Sequence, residues 1–485
     1  MKDWLSAAAI SRPDGAAVIL PDGKPITYTE LHSLCAAQAA ILSIHGIGQG
    51  AHVALLMENS LRYIVLVHAI MRLGAVLIPL NTRLTIEELS YQLHTANVGF
   101  LCFDTRHSQA AEKLQKFPFI GIDCRAEIPP ASHNPAAEES GEIDLETICA
   151  IVFTSGTSGQ PKGAQLTYGN FLYSAMASAY RLGVMPEDRW LICLPMFHVG
   201  GLSILYRSCL YNTAVVLYEG SFDPVRIVMQ LRRDCVTMLS IVPTQLYRLL
   251  QSADGILASL RLILLGGAAC TPELFAQAQQ HQLNIAATYG LTEATSQVAT
   301  TLPEQFYAKQ GNVGRPLPFT SVRILDEQGS ALPSGEIGEI AIAGPTIMRG
   351  YLGMPDIPSG AWFISGDIGY LDDDGDLYIL QRRSDLIISG GENVYPAEVE
   401  NILRSHPDIE DAVVIGRSDP EWGQRVTAAI VLCANKSLTS EQVSAFCAGK
   451  LAGYKCPREY IFVESLPLTA SGKLDRRAVA GLFKP

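Results

Sequence analysis

A chain of 485 residues exceeds one ordinary core, and typical domain sizes put it at roughly three domains or subdomains. Hydrophobic residues supply 48% and charged residues 17%, a globular balance that argues against extensive disorder. The formal net charge of -12 argues against nucleic acid or an anionic membrane as the main partner and favours a small molecule held in a local basic pocket.

The opening "MKDWLSAAAISRPDG" lacks a basic segment followed by a long apolar one, so no export signal is expected. The next elements alternate. "HVALLME" (52 to 58) reads as a strand, "LRYIVLVHAIMRLG" as a helix and "AVLIPL" as a strand. The most apolar stretch, "YIVLVHAIMRLGAVLIPL", is interrupted by His68 and Arg72, so no membrane span is expected. Further on, "TMLSIVP", a helical "TQLYRLLQSA" and "LRLILLGG" repeat the alternation. This βαβ order predicts an α/β fold with two subdomains built on largely parallel sheets.

From about residue 312 the texture changes to short strands and turns, as in "VRILDEQGS", "GEIGEIAIAG" and "GYLDDDGDLYIL", which predicts a small β-rich subdomain. The last hundred residues predict a compact α+β unit, with a helix at "PAEVENILRSH" and strands at "DAVVIGR" and "TAAIVLC". Between them "QRRSDLIISGGENVYP" reads as a hinge, against the simpler reading of a surface turn. The eleven cysteines are odd in number and include no CxxC pair, so neither a zinc site nor a disulfide framework is expected. A reducing, cytoplasmic location follows as the expectation.

Residues 153 to 163, "FTSGTSGQPKG", pose the chemical question. Backbone N–H groups point at a phosphate only where the chain turns tightly and no side chain intervenes, which is the use of Gly156, Gly159 and Gly163. Thr154, Ser155, Thr157 and Ser158 add hydroxyls, and Lys162 adds positive charge. A Walker loop is excluded by spacing: counting from Gly156, Pro161 stands where the second glycine belongs and Gly163 where Ser or Thr should hold magnesium. A solvated glycine-serine loop without ligand is the alternative, and other segments decide against it.

"FTSGTSGQPKG" is similar to the signature loop of the adenylate-forming superfamily, which comprises acyl- and aryl-CoA ligases, peptide-synthetase adenylation domains and firefly-type luciferases. Further motifs follow in the family's order: "LLGGAA" (264 to 269), "TYGLTE" (288 to 293), "SGDIGYLDDDGDLYILQRRSDLIISGGENVYPAEVE" (365 to 400) and "LPLTASGKLDRR" (466 to 477). The resemblance spans essentially the whole chain. It implies a large N-terminal AMP-binding domain, residues 1–383, holding the acid and ATP, and a mobile C-terminal lid, residues 384–485.

The resemblance also implies ATP, magnesium and coenzyme A as reaction partners, with roles residue by residue. Ser155 to Gly159 with Thr154 and Lys162 would hold the β- and γ-phosphates, and Thr154 with Glu293 the magnesium. Gly267, Ala268, Ala269, Thr288, Tyr289, Gly290 and Thr292 would border the nucleotide, while Asp367 and Arg382 would grip the ribose. Lys473 would bridge carboxylate, α-phosphate and ribose, Asp385 would be the pivot, and Gly390 and Gly391 would line the pantetheine channel. Without that context, Asp367 reads as a turn residue, Arg382 and Lys473 as surface charges, and one of the two glycines as a structural turn.

His198, in "LPMFHVGGLS", follows a strand-like "WLICLP" and precedes a helical "SILYRSCL". A lone histidine among apolar residues is commonly a satisfied core group. The family match instead puts it beside the carboxylate and the thiol channel, with a pocket walled by His198, Gly200, Ser203, Gly266, Gly267, Gly290 and Thr295. Within the family, "DRWLICLPMFHVGGLSILYRS" and "QRRSDLIISGGENVYPAEVE" look most like the ligases that act on o-succinylbenzoate in menaquinone synthesis. Such an acid carries a second carboxylate. Arg207 is four residues after Ser203 on one helix face and is a candidate to neutralise it, against the usual solvent-facing arginine; Gln297 is another polar candidate. The alternatives are a ligase for another aromatic or fatty acid, an adenylation domain serving a carrier in trans, and a non-catalytic nucleotide or acyl sensor. A homodimer is the working expectation for assembly.

Overall fold

The computed structural model describes residues 3–114, 119–124, 142–154, 161–252, 255–381, 386–467 and 476–483. The chain divides into two compact units, one of residues 1–82, 93–153 and 163–380, the other of residues 83–92, 154–162 and 381–485.

The first unit contains a nine-stranded sheet in the order Arg315–Pro316, Ser296–Thr300, Ile285–Leu291, Leu262–Leu265, Met238–Ile241, Arg189–Ile192, Ala214–Leu217, Ala16–Ile19, Pro25–Thr27. Its six inner strands, from Ile285–Leu291 to Ala16–Ile19, are parallel. Antiparallel strands complete both edges. Side chains alternate faces along a strand, and here both faces are covered. Leu191, Val216, Leu239, Ile263 and Ile285 are buried in one cluster with Ile227, Leu246 and Leu274 of the helices Pro224–Arg233, Pro243–Leu250 and Pro272–Gln280. Trp190, Val215, Met238, Leu262 and Ala286, on the opposite face, join a larger cluster that includes Val53, Leu55 and Leu77.

Those last residues belong to a seven-stranded sheet in the order Gly350–Tyr351, Lys162–Thr167, Ile148–Thr154, Val76–Pro79, His52–Leu56, Phe100–Phe103, Ile120–Asp123. The helix Leu61–Arg72 connects two of its parallel strands and buries every residue from Tyr63 to Met71. His68 lies inside it, 2% exposed, and its Nδ1 finds no partner. Burial lowers the His68 pKa to about 4, with Asp3 pulling weakly the other way.

A four-stranded antiparallel sheet, Ser321–Leu325, Gly338–Ala343, Phe363–Leu371 and Leu377–Gln381, is the expected β-rich part. The turn joining its last two strands is the "DDDGD" run. Asp372 accepts the N–H groups of Asp374 and Asp376, and Lys309 Nζ donates to Asp372, Asp374 and Asp376 at 2.7, 2.6 and 2.8 Å. One ammonium thus ties together three carboxylates that would otherwise push the turn apart, and Arg315 Nε adds a second cation 3.6 Å from Asp376 Oδ1.

The second unit has a sheet in the order Glu392–Val394, Ile387–Ser389, Gly423–Leu432, Ile409–Asp419, with Glu459–Phe462 parallel to Gly423–Leu432. The helices Pro396–Arg404 and Ser440–Ala448 bury Val399, Leu403, Val443 and Cys447 with Val414, Ala428 and Ile430. All eleven cysteines are free thiols.

Candidate functional site

The strand Leu262–Leu265 ends in a loop of Gly266, Gly267, Ala268 and Ala269, of which Gly267 and Ala269 are exposed. A side chain at Gly266 would meet Thr288 Cγ2 at 2.7 Å, so the loop lies directly against the next strand. Gly267 has φ +83°, the left-handed region that glycine enters freely. Exposed backbone beside a strand end is where a nucleotide's flat base can approach.

That next strand, Ile285–Leu291, carries the first four residues of "TYGLTE". It runs into a 3₁₀ turn, Thr292–Ala294, and reverses as Ser296–Thr300. The reversal is tight: a Cβ on Gly290 would fall 1.7 Å from the Ser296 carbonyl oxygen, so only glycine fits. Thr295 and Ser296 both have positive φ, 51° and 89°, a strained pair that surrounding bonds must hold. Thr295 Oγ1 donates to the Thr346 carbonyl at 2.7 Å, and Ser174 Oγ donates to the Thr295 carbonyl at 2.7 Å. Thr295 is fully buried with its hydroxyl committed to the Thr346 carbonyl, so it anchors the turn and has no free hydroxyl to offer a ligand.

Glu293 is 5% exposed, and Tyr351 OH donates to its Oε1 at 2.6 Å. Asp367, on Phe363–Leu371, accepts from Tyr289 OH at 2.6 Å, and its own N–H is bonded to Ser365 Oγ. Tyr289 is 1% exposed; its phenol orients Asp367. Thr288 Oγ1 pairs with Thr300 Oγ1 at 2.8 Å. Glu293, Thr288, Tyr289, Gly290 and Asp367 therefore share one hydrogen-bonded strand end.

Asn59 pins the turn before His198 by donating to the Leu194 carbonyl and accepting the Met196 N–H. A Cβ at Gly201 would lie 2.3 Å from the Pro195 carbonyl oxygen, which explains the second glycine of "HVGGLS". His198 is the N-cap residue of the helix Val199–Tyr211; it is half-buried and meets Phe197 edge-on at 4.7 Å. Gly200 is half-buried two residues beyond, and Ser203 follows on the buried face. Arg207 is 2% exposed, contrary to the solvent-facing habit of arginine. One Nη donates to Ser174 Oγ at 3.2 Å, while its Nε has no partner. Burial lowers its pKa from the usual value, with the Tyr211 phenol a smaller opposing influence, and no carboxylate among the described residues pairs with it. Ser203 Oγ and Gln297 Oε1 are likewise buried and unpartnered. Ser174 joins Arg207 to the Thr295 turn, two residues from Gln297.

In the second unit, Gly390 has φ +60°, and a Cβ there would be 2.9 Å from the Trp422 ring. Its N–H donates to the Trp422 carbonyl. Positive φ and the Trp422 ring thus both disfavour a side chain at 390, and Gly391 follows at φ +84°. Thr154 closes the strand Ile148–Thr154 and Lys162 opens Lys162–Thr167, both half-buried. Ser155, Gly156, Thr157, Ser158, Gly159, Arg382, Asp385 and Lys473 lie outside the described residues. Sequence reasoning missed Tyr351, Ser174 and Trp422. "RGYL" (349 to 352) was the available signal for Tyr351, but nothing local marks a tyrosine that reaches a glutamate 58 residues earlier.

Residues 5–352 match the family of AMP-binding enzymes, and residues 398–473 match the AMP-binding enzyme C-terminal domain. A 2-succinylbenzoate--CoA ligase from Bacillus licheniformis is 40% identical, the alignment covering 98% of each chain. The o-succinylbenzoate CoA synthetase of Bacillus subtilis, solved as a double mutant with its product analogue OSB-NCoA, superposes with TM-score 0.91 at 35% identity, covering 99% of this chain and 98% of that one. The same enzyme in complex with ATP and magnesium ion gives TM-score 0.74 at 35% identity, covering 99% of both chains. With the strand-end carboxylates, the glycine loops and these matches in hand, the chain belongs to the AMP-binding enzyme family.

Proposed function

We propose that this chain is an AMP-forming acid-CoA ligase that converts 2-succinylbenzoate, ATP and CoA to 2-succinylbenzoyl-CoA, AMP and diphosphate, a step of menaquinone synthesis. A carboxylate is a poor acyl donor because oxide would have to leave. Its oxygen first attacks the α-phosphorus of ATP, expelling diphosphate; the CoA thiol then attacks the acyl carbon and expels AMP. Fixed cations and donors around the phosphates and the bridging carboxylate are what such steps need.

In this reading residues 1–383 hold acid and ATP and residues 384–485 form the lid that pivots at Asp385. The loop from Thr154 to Lys162 receives the departing phosphates. Lys473 supplies the bridging charge for adenylation, Asp367 and Arg382 hold the ribose hydroxyls, and Gly390 and Gly391 border the CoA arm. Glu293 offers the hard oxygen donors that magnesium takes: Oε1 accepts from Tyr351, and Oε2 has no hydrogen-bond partner among the described residues. Magnesium would neutralise charge on the phosphates there.

The observation that carries the choice of acid is Arg207, a fully buried guanidinium with no counter-anion among the described residues. Burying an unpaired charge costs several kcal/mol, which a folded protein bears where a ligand supplies the partner. The second carboxylate of 2-succinylbenzoate would replace the 3.2 Å Ser174 contact as that partner, with the Ser203 hydroxyl as a further donor and Gln297 able to serve only by turning its amide, whose Nε2 donates to Thr300 Oγ1, toward the substrate. His198 and the glycines at 200, 266, 267 and 290 complete the pocket. Diphosphate and AMP release, followed with ATP, magnesium and a panel of acids with and without CoA, tests this. Preference for a monocarboxylic acid would refute the substrate; no diphosphate release with any acid would refute the enzyme.

No helix among the described residues is long and apolar enough to cross a membrane. Eleven free thiols support a reducing, cytoplasmic setting. A homodimer is the assembly we expect, supported by exposed Met176 and Tyr180 on the helix Tyr168–Leu182 and exposed Phe319 against Tyr173; sedimentation would check it.

A further inference from the structure

Glu293 is buried at the tip of a strained turn, and a carboxylate that must meet a cation needs one fixed rotamer. Residues 344–352 provide the fixing. Asn170 Nδ2 donates to the carbonyls of Pro345 and Ile347 at 2.8 and 2.9 Å, and Thr295 Oγ1 donates to that of Thr346. The Met348 N–H donates to the Glu293 carbonyl at 2.8 Å. Gly350 and Tyr351 then pair as a short strand with Gln165 and Ala164. This strap, bonded at each step, delivers the Tyr351 phenol 2.6 Å from Glu293 Oε1.

A hydroxyl-to-carboxylate bond of that length is charge-assisted and about twice as strong as a neutral one. It occupies one carboxylate oxygen and leaves the other. The Glu293 backbone is held by the same strap, so the side chain and main chain are referenced to one rigid element rather than to solvent.

We propose that Tyr351 is a positioning residue for Glu293: its phenol fixes Oε1 so that Oε2 is presented to the magnesium of MgATP. The proposal rests on the assignment of Glu293 to that magnesium. A tyrosine that merely secured the strap would act on folding and on all ligands alike, whereas a positioning phenol acts on the metal alone.

The test is calorimetric titration of the full chain with ATP, in the presence of magnesium and again with EDTA, for the wild type, Y351F, E293Q and the double variant. The wild type should bind MgATP more tightly than metal-free ATP. Y351F should shrink that magnesium increment about tenfold, the loss of one hydrogen bond to a charged group, while metal-free ATP affinity changes less than about twofold. E293Q should abolish the increment, and adding Y351F to it should change nothing further. Thioester formation from supplied acyl-adenylate and CoA, in which no phosphate is transferred, should be much less affected in Y351F than adenylation. If Y351F keeps the full increment while E293Q loses it, the Tyr351 proposal fails and the Glu293 assignment stands. If E293Q keeps it, both fail. Equal losses of metal-free ATP binding, MgATP binding and thioester formation in Y351F would reduce the residue to a strap anchor and overturn the proposal.

Discussion

Replacing Arg207 with methionine separates substrate recognition from stability with opposite signs. The guanidinium is fully buried, makes one 3.2 Å bond to Ser174 Oγ and has no carboxylate partner among the described residues. For a substrate carboxylate about 4 Å away at an effective dielectric near 20, the attraction is about 4 kcal/mol. Desolvating the substrate's carboxylate offsets part of it, leaving roughly 2–4 kcal/mol, the range seen when one member of a buried charged pair is removed. In kcat/KM for 2-succinylbenzoate this is a loss of about 30- to 1,000-fold. A monocarboxylic benzoate loses that partner in either protein, so its kcat/KM should change little. Stability should go the other way. Methionine removes an uncompensated buried charge while keeping most of the volume, so the unliganded protein should melt at the same temperature or higher. The assays are steady-state kinetics on the two acids and thermal melts with and without 2-succinylbenzoate, where the wild type alone should show a large ligand-induced rise. A variant that melts lower yet keeps its preference for the dicarboxylate would refute the reasoning, because Arg207 would then be a structural residue.

Lys473→Ala should nearly abolish adenylation, measured as diphosphate release, and spare thioester formation from supplied acyl-adenylate; equal loss in both half-reactions would contradict its role. His68→Leu tests a buried neutral imidazole. With the folded pKa lowered to about 4 and the unfolded one near 6.5, only the unfolded chain takes up a proton between those values, so wild-type stability falls as pH drops through that window. The slope is at most about 1.4 kcal/mol per pH unit, and it should be absent from His68→Leu; parallel stability curves from pH 7 to 4 would show the histidine is not the source. Lys309→Met should lower the melting temperature above about pH 4 by leaving three carboxylates in one turn. Burial alone would raise the Asp372 pKa, but the Lys309 ammonium and two backbone N–H groups more than reverse this. A depressed folded pKa means the contribution exists above the unfolded value and fades as pH falls through the folded one, so wild type and variant should converge in acid.

Elements whose pattern is set locally were legible in the sequence. "HVALLME" and "LRLILLGG" became the strands His52–Leu56 and Leu262–Leu265 because unbroken β-branched and aliphatic runs fit a sheet buried on both faces, and "LRYIVLVHAIMRLG" became the buried helix Leu61–Arg72. The glycines at 266 and 290 were legible as motif residues, and only the structure gives their reason, since a Cβ would stand 2.7 Å from a side-chain atom at the first and 1.7 Å from a carbonyl oxygen at the second. What stayed hidden depends on contacts between distant segments. Arg207 was a plausible surface charge until the helix Val199–Tyr211 proved buried along nearly its whole length, so that no face was left to carry an arginine into water. Glu293 could be assigned from its motif, but a motif names the group that meets the ligand and omits the group that holds it. Tyr351 reaches it only because Gly350 and Tyr351 add an edge strand beside Lys162–Thr167. In this protein, therefore, the motif residues are written in short continuous runs, while the bonds that orient them come from strands and straps placed far along the chain.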